Sequence, residues 1–289
     1  MNENAYPFRV GDLDCIAVRD SSEPGVVKEL IPDIDDPAVT QAFARRGWPT
    51  GGISYDFLAL FVRSGQHRIV IDAGWGPCSD QHESRFLQTL GEAGVMPEDV
   101  TQVILTHLDL DHAGGVLDGR GGLAFPNACH VMAEEASTGY TSDRIQAMLT
   151  PSDAAAYREM FALLSGRTLL TQGETEVLPG VRVLPAPGHR LGHVAVELVS
   201  DGHTLLHLAD TVLHPAVIEH PDWKTGYDSV QETIRATRHR LFDRAALSNA
   251  LVFFSHTPFP GLGSIHREGT GWRWEPLADP QAEEGKGRA

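Results

Sequence analysis

Cysteine is scarce in this 289-residue chain: Cys15, Cys78 and Cys129 are widely spaced and odd in number, so no disulfide framework is implied. Without a CxxC or Cys/His pairing they read as inert thiols. Basic residues are few, 23 Lys+Arg against 39 Asp+Glu, for a formal charge of −16. That balance argues against a nucleic-acid surface, which needs Lys/Arg stripes to neutralise phosphate, and against docking on an anionic membrane. Long apolar runs are missing too; nothing approaches the roughly 18 residues of a membrane span. The opening MNENAYPFRVGDLDCIAV lacks the basic-then-apolar pattern of a secretory leader, so a cytoplasmic protein is the expectation. What is abundant is histidine, 14 residues beside the carboxylate excess. Imidazole and carboxylate together are the material of metal sites.

Several short strands are legible. Phe57–Val62 and Ile69–Ile71 flank a Ser64-Gly65-Gln66 turn, a hairpin pattern. A helical stretch follows from about His82 to Ala93, and Val103–Leu105 reads as a strand buried on both faces. Strand character returns at Val181–Leu184, Val194–Val199 and Thr204–Leu208, with an Asp201-Gly202 turn before the last. Ser229 and Glu232 form a capping-box pattern ahead of a helix with Val230, Ile234, Leu241 and Ala245 on one face, and Leu251–Phe254 is another buried strand. Two successive strand–strand–helix–strand units thus each place a histidine just past a buried strand. One domain over residues 1–276 is expected, with a polar helical lid inserted at 137–178 and a disordered tail at 277–289.

The chemistry concentrates in THLDLDHAGG. His107, Asp109, Asp111 and His112 lie within six residues, directly after a buried strand. If the segment is extended, alternation with Leu108 and Leu110 points His107, Asp109 and Asp111 the same way. Four ligands at this spacing outweigh the alternative of a solvated acidic loop.

This segment resembles the H-x-H-x-D-H metal motif of the metallo-β-lactamase fold superfamily, here as H-x-D-x-D-H. Further segments resemble the family's other motifs in order: Asp72 in IDAGWG, His189 in PAPGHRLGH, Asp210 in LLHLADTVLHP and His256 in FFSHTPFPG. The resemblance spans roughly residues 55–260. It implies an α/β fold, a four-layer αββα sandwich. It also implies one metal site from His107, Asp109 and His189, a second from Asp111, His112 and His256, and Asp210 bridging the two. Zn²⁺ ranks first for the two divalent ions, while the oxygen donor Asp109, standing where the family has a histidine, opens the site to Mn²⁺ or Fe. It also adds a negative charge: two dications, a hydroxide and two aspartates sum to about +1, and a third aspartate brings the core to about zero.

The implied function is a dinuclear metal-dependent hydrolase that uses a hydroxide held between the metals to cleave an ester, lactone or related small-molecule bond. Alternatives on this fold are organophosphate or phosphodiester hydrolysis, di-iron redox chemistry and a non-catalytic binding protein. Around Asp210 the sequence is similar to the quorum-quenching lactonase and methyl-parathion-hydrolase-like branch. Those lactonases carry a tyrosine three residues past the bridging aspartate, a position held here by Leu213. Asp111, Asp210 and His214 are the catalytic candidates: Asp111 to carry a proton to the leaving group, His214 to donate to substrate or to pack against Pro215. Trp48, Trp75, Trp223 and Phe259 are candidate pocket walls. His193 and His207 are candidates to support the ligands. The partner is a small-molecule substrate, with no nucleic acid and no membrane, and a homodimer is the working expectation.

Overall fold

The computed structural model describes residues 2–78 and 83–277. Its strands form two seven-stranded sheets. The first runs in chain order through β1 (Ala5–Val10), β2 (Leu13–Val26), β3 (Gly52–Ser64), β4 (His67–Ile71), β5 (Gln102–Ile104), β6 (Cys129–Ala133) and β7 (Thr168–Thr171). The second runs through β8 (Thr175–Leu178), β9 (Val181–Pro185), β10 (Val194–Ser200), β11 (His203–His207), β12 (Leu251–Phe253), β13 (Leu262–Glu268) and β14 (Gly271–Pro276). The helices are α1 (Val27–Leu30), α2 (Pro37–Arg46), α3 (Phe86–Glu92), α4 (Leu110–Ala113), α5 (Glu134–Tyr140), α6 (Asp143–Gln146), α7 (Pro151–Leu164), α8 (Ala216–Glu219) and α9 (Gln231–Ser248).

The sheets meet over one apolar core, in which Val18, Leu60, Val62 and Ile69 of the first pack with Val183, Val196, Leu198 and Leu205 of the second. Leu241, Phe242 and Ala245 of α9 close over Leu184, Ala195, Leu206 and Val252 in a separate cluster. Burying both faces is what lets β4–β5 and β11–β12 pair in parallel, as the unbroken apolar runs IVI and LVF require. The architecture is the expected mixed α/β sandwich of two large sheets with helices. No helix among the described residues is long and apolar enough to cross a membrane.

The two repeated units are plain in the pairing. Hairpin β3–β4, helix α3 and parallel β5 correspond to hairpin β10–β11, helix α9 and parallel β12. Asp201 (φ 46°) and Gly202 (φ 74°) make the expected tight turn of the second hairpin. Each unit releases its chain at the same strand ends, where open α/β sheets place their ligand sites.

Three expectations are corrected. The capping box is not used: α9 starts at Gln231 with no side-chain cap, because the Ser229 and Val230 N–H groups donate to the carbonyls of His189 and Gly188. Val230 is accordingly exposed, while Ile234, Leu241 and Ala245 are buried. The stretch 137–178 is helical only as far as Leu164; its remainder supplies β7 and β8, one edge strand for each sheet. The helix expected from His82 starts at Phe86, and His82 itself lies outside the described residues, as does the tail from residue 278.

Candidate metal centre

His107 lies just past the end of β5 at Ile104, and Asp109 (ψ 144°) is in extended backbone. The chain then turns into α4, whose first residues accept no side-chain cap from Asp109. This helical turn breaks the alternation read from the sequence. Asp109 stays with His107 and His189, Asp111 goes with His112 and His256, and the His107 and His112 rings meet at 4.0 Å between the two sets.

Donor atoms converge in three overlapping groups: His107, Asp109 and His189; His107, His112 and Asp210; Asp111, His112 and His256. Asp210 lies between them. Its Oδ2 is 3.2 Å from His189 Nε2 and 3.8 Å from His107 Nε2, while its Oδ1 is 3.2 Å from His256 Nε2 and 3.3 Å from His112 Nε2. One carboxylate therefore faces a pair of imidazoles with each oxygen.

Every imidazole is held from behind through Nδ1, which aims Nε2 inward. His112 Nδ1 donates to Asp72 Oδ2 at 2.8 Å, His256 Nδ1 to the Asp56 carbonyl at 3.0 Å, and His189 Nδ1 to Asp228 Oδ1 at 3.0 Å. His107 Nδ1 pairs with the Thr106 hydroxyl at 3.1 Å. Asp72 also accepts the Thr106 N–H and O–H, both at 2.8 Å, so it ties the end of β4 to the loop after β5. Asp228 is itself paired with the fully buried Arg238 at 2.6 Å.

Electrostatics mark the cluster as built for cations. Burial disfavours charge on His256, but Asp210 and Asp111 outweigh it and lift the imidazole to about 9. His112 is held well above its ordinary value by the same carboxylates against the same burial. Burial and then the neighbouring His112 push His107 well below its ordinary value. Burial also opposes ionisation of Asp210, yet His256 and His112 keep its carboxyl well below the usual range. Protons here stand where a cation would, and metal uptake displaces them. Among the described residues, buried His107 Nε2, His189 Nε2 and Asp210 Oδ1 have no hydrogen-bond partner, an arrangement that costs energy unless an ion takes up those lone pairs. The donor set fits divalent metal ions.

Asp109 is differently placed. Its Oδ2 accepts from Arg190 Nε at 2.7 Å and is 3.8 Å from His107 Nε2, while its Oδ1 accepts the Tyr140 hydroxyl at 3.0 Å. Neither Arg190 nor Tyr140 stands out in the sequence. Tyr157 of α7 also reaches the loop, donating to the Leu108 carbonyl, so the inserted helices brace the metal segment.

The cluster forms the floor of a cavity of about 340 Å³. Val26, Leu30, Ile53, Phe57, Trp75 and Leu213 give it an apolar wall. Tyr55 also lines it, stacked flat on His256 at 4.6 Å. Trp75 is positioned by Asp20, at a bulge between β2 and β3; that buried carboxylate accepts the Trp75, Arg85 and Phe86 N–H groups and the Ser84 hydroxyl. His214 does not line the cavity. It stacks on Phe43 at 5.0 Å and meets Trp48 edge-on, its Nδ1 accepting the Ala216 N–H, and burial pushes it down to about 4. Packing claims it, together with Trp48 and Trp223, in a small cluster behind the cavity wall. Phe259 lies under the Arg19 guanidinium, also away from the floor. His193 rests its ring against His107 and His189, whereas His207 packs on Phe253.

Known proteins with similar sequences include an N-acyl homoserine lactonase of Bacillus cereus, 29% identical over 178 residues, which are 60% of this chain and 62% of that protein. A probable metallo-hydrolase of Mycobacterium tuberculosis is 27% identical over 201 residues, covering 58% and 60% of the two chains. The matches thus span less than two thirds of these relatives' lengths. Among solved structures, AidC, a dizinc quorum-quenching lactonase in complex with a product, superposes with a TM-score of 0.85 at 21% identity, over 96% of this chain and 98% of that one. The hydrolase AbOPH gives 0.84 at 23%, over 96% and 99%. At such identities the likeness shows the fold. The family model for the metallo-beta-lactamase superfamily matches residues 58–256, from the middle of β3 to the last clustered histidine, and the chain belongs to that superfamily.

Proposed function

We propose that this protein is a dinuclear metallohydrolase, zinc-loaded, that opens an uncharged ester or lactone. The observation that carries the reading is Asp210, whose two oxygens face separate imidazole pairs on the floor of a half-apolar cavity. His107, Asp109 and His189 would hold one ion and Asp111, His112 and His256 the other. When bound, divalent ions polarise a carbonyl and make water a nucleophile near neutral pH.

The chain's own residues do the rest. The apolar wall seats the organic part of the substrate and excludes water from the floor. Five carboxylates line the cavity against one guanidinium, Arg190. Two dications would bring this lining to about zero and a hydroxide to about −1, which favours neutral substrates over anionic ones. Burial, then Asp210 and Asp111, holds the Tyr55 phenol protonated. With Leu213 in place of a tyrosine after the bridging aspartate, Tyr55, which stacks on His256, is the hydroxyl to donate to the substrate's carbonyl oxygen, while the other lining tyrosine, Tyr227, donates to Glu29. Asp111, within 3.3 Å of both His112 and His256, is the group to pass a proton to the leaving oxygen. The lactonases among the relatives support the ester or lactone class.

Elemental analysis of protein purified without added metal, combined with turnover of a γ-lactone, a chromogenic ester and a phosphotriester, tests this. About two zinc per chain and lactone or ester turnover abolished by Asp210→Asn are expected. Tyr55→Phe should lower kcat about tenfold or more with KM little changed, the loss of one donor to developing charge. Phosphotriester turnover alone would replace the substrate reading. No turnover of any of the three after reconstitution with Zn²⁺ or Mn²⁺ would overturn the enzyme.

A further inference from the structure

Asp109 brings to the cluster a carboxylate where the family pattern has a neutral imidazole. Counted alone, it takes the core charge from about +1 to about zero. The guanidinium of Arg190 lies on the same carboxylate, with Nε 2.7 Å from Oδ2. Among the described residues Arg190 is the one Lys or Arg lining the cavity, and it follows the clustered His189 directly in the chain. It is fastened there: Nη1 donates to the His189 carbonyl at 3.2 Å and to the Tyr227 carbonyl. The Tyr140 hydroxyl occupies the other oxygen, Oδ1, at 3.0 Å. Oδ2 is also the oxygen that faces the imidazoles, 3.8 Å from His107 Nε2 and 4.0 Å from His189 Nε2. An ionised carboxylate oxygen has two lone-pair sites, so Oδ2 can accept from Nε and still offer a lone pair inward.

We infer that Asp109 and Arg190 form a single charge-neutral donor, so that the first metal position sees the net charge of a third histidine although its donor atom is oxygen. Arg190 is then a positioning residue that sets metal affinity through Asp109. The inference rests on the reading of this cluster as a metal centre.

A double-mutant cycle in metal-free protein tests it, with Zn²⁺ affinities measured by competition against a chromophoric chelator. Arg190→Gln leaves the carboxylate unbalanced and should tighten the weaker zinc by about tenfold or more, as expected for removing a unit charge beside a dication. Asp109→His alone leaves the guanidinium facing that dication and should weaken it by about tenfold or more. Together the two substitutions should return affinity to within about threefold of the parent, because the opposed charge changes cancel. Arg190→Lys keeps the charge and should stay near the parent, which separates charge from shape. If Asp109→His does not fold, the Gln and Lys replacements of Arg190 decide, since tightening is required in the first and absent in the second. The inference is overturned if Arg190→Gln leaves zinc affinity unchanged or weakens it, or if the double variant departs from the parent by about tenfold or more. A parent protein that binds no zinc overturns the metal reading itself, an outcome distinct from a cycle in which affinity does not follow charge.

Discussion

Asp72 adopts φ 60°, a left-handed conformation that Asp tolerates better than most residues, and spends both carboxylate oxygens on Thr106 and His112. It joins the end of β4 to the metal loop and fixes which nitrogen of His112 faces inward. Asp72→Asn keeps the backbone preference and the shape but loses the charge that orients the imidazole. Zinc affinity should fall about 10–100-fold, the usual effect of removing a ligand's supporting group, with little change in melting temperature. Asp72→Ala also strands the buried Thr106 N–H and puts a Cβ-bearing residue without a local hydrogen bond at positive φ. It should cost about 3 kcal/mol in denaturant unfolding of metal-free protein. Equal melting curves for the two variants would contradict this division of roles. Ala209, at φ 42° beside Asp210, shows the same device in the second unit, a strained residue where a strand gives way to the cluster.

Elements position the ligands through close backbone contact, and Gly115 marks one such approach beside the cluster. Its N–H donates to the Gly74 carbonyl at 2.9 Å, and a Cβ there would stand 1.9 Å from the Ala73 carbonyl oxygen. Gly115→Ala must therefore push the loop after α4 away from the loop after β4. A loss of about 3 kcal/mol or more and a zinc content below two per chain are expected from thermal unfolding and elemental analysis. Unchanged metal content would show that the ligands do not depend on this contact. The same scale explains what could be read from the sequence. Strands β4, β5, β11 and β12 carry their burial in short unbroken apolar runs, and the clustered histidines and aspartates directly follow them. Strand β2 was hidden because its long outer half, with Ser22, Pro24 and Gly25, is held by pairing to β3 and not by local preference. Arg190, Tyr140, Tyr55, Asp228 and Asp20 were equally hidden, since each acts on a residue tens to hundreds of positions away. His214 shows the opposite failure: a polar residue near a motif that the fold uses as packing.

At the scale of the whole molecule, several histidines are buried without serving the cluster, and they set its acid stability. His130 in β6 and His214 in the cluster behind the cavity are both pushed down to about 4 by burial. In the unfolded chain each returns to about 6.5. The unfolded state thus binds more protons between those values, and stability falls as pH drops through that window. The contribution is fully present above about pH 6.5 and lost by about pH 4, of order 3 kcal/mol for a fully expressed shift. His130 is the cleaner probe, because no clustered ligand touches it in the β6 pairing with β5 and β7. In metal-free protein followed by urea unfolding at a series of pH values, His130→Leu should flatten the dependence between pH 6.5 and 4 by roughly one proton's worth of slope. An unaltered slope in that variant would mean that His130 is already protonated in the folded chain, or that the acid sensitivity lies elsewhere in the fold.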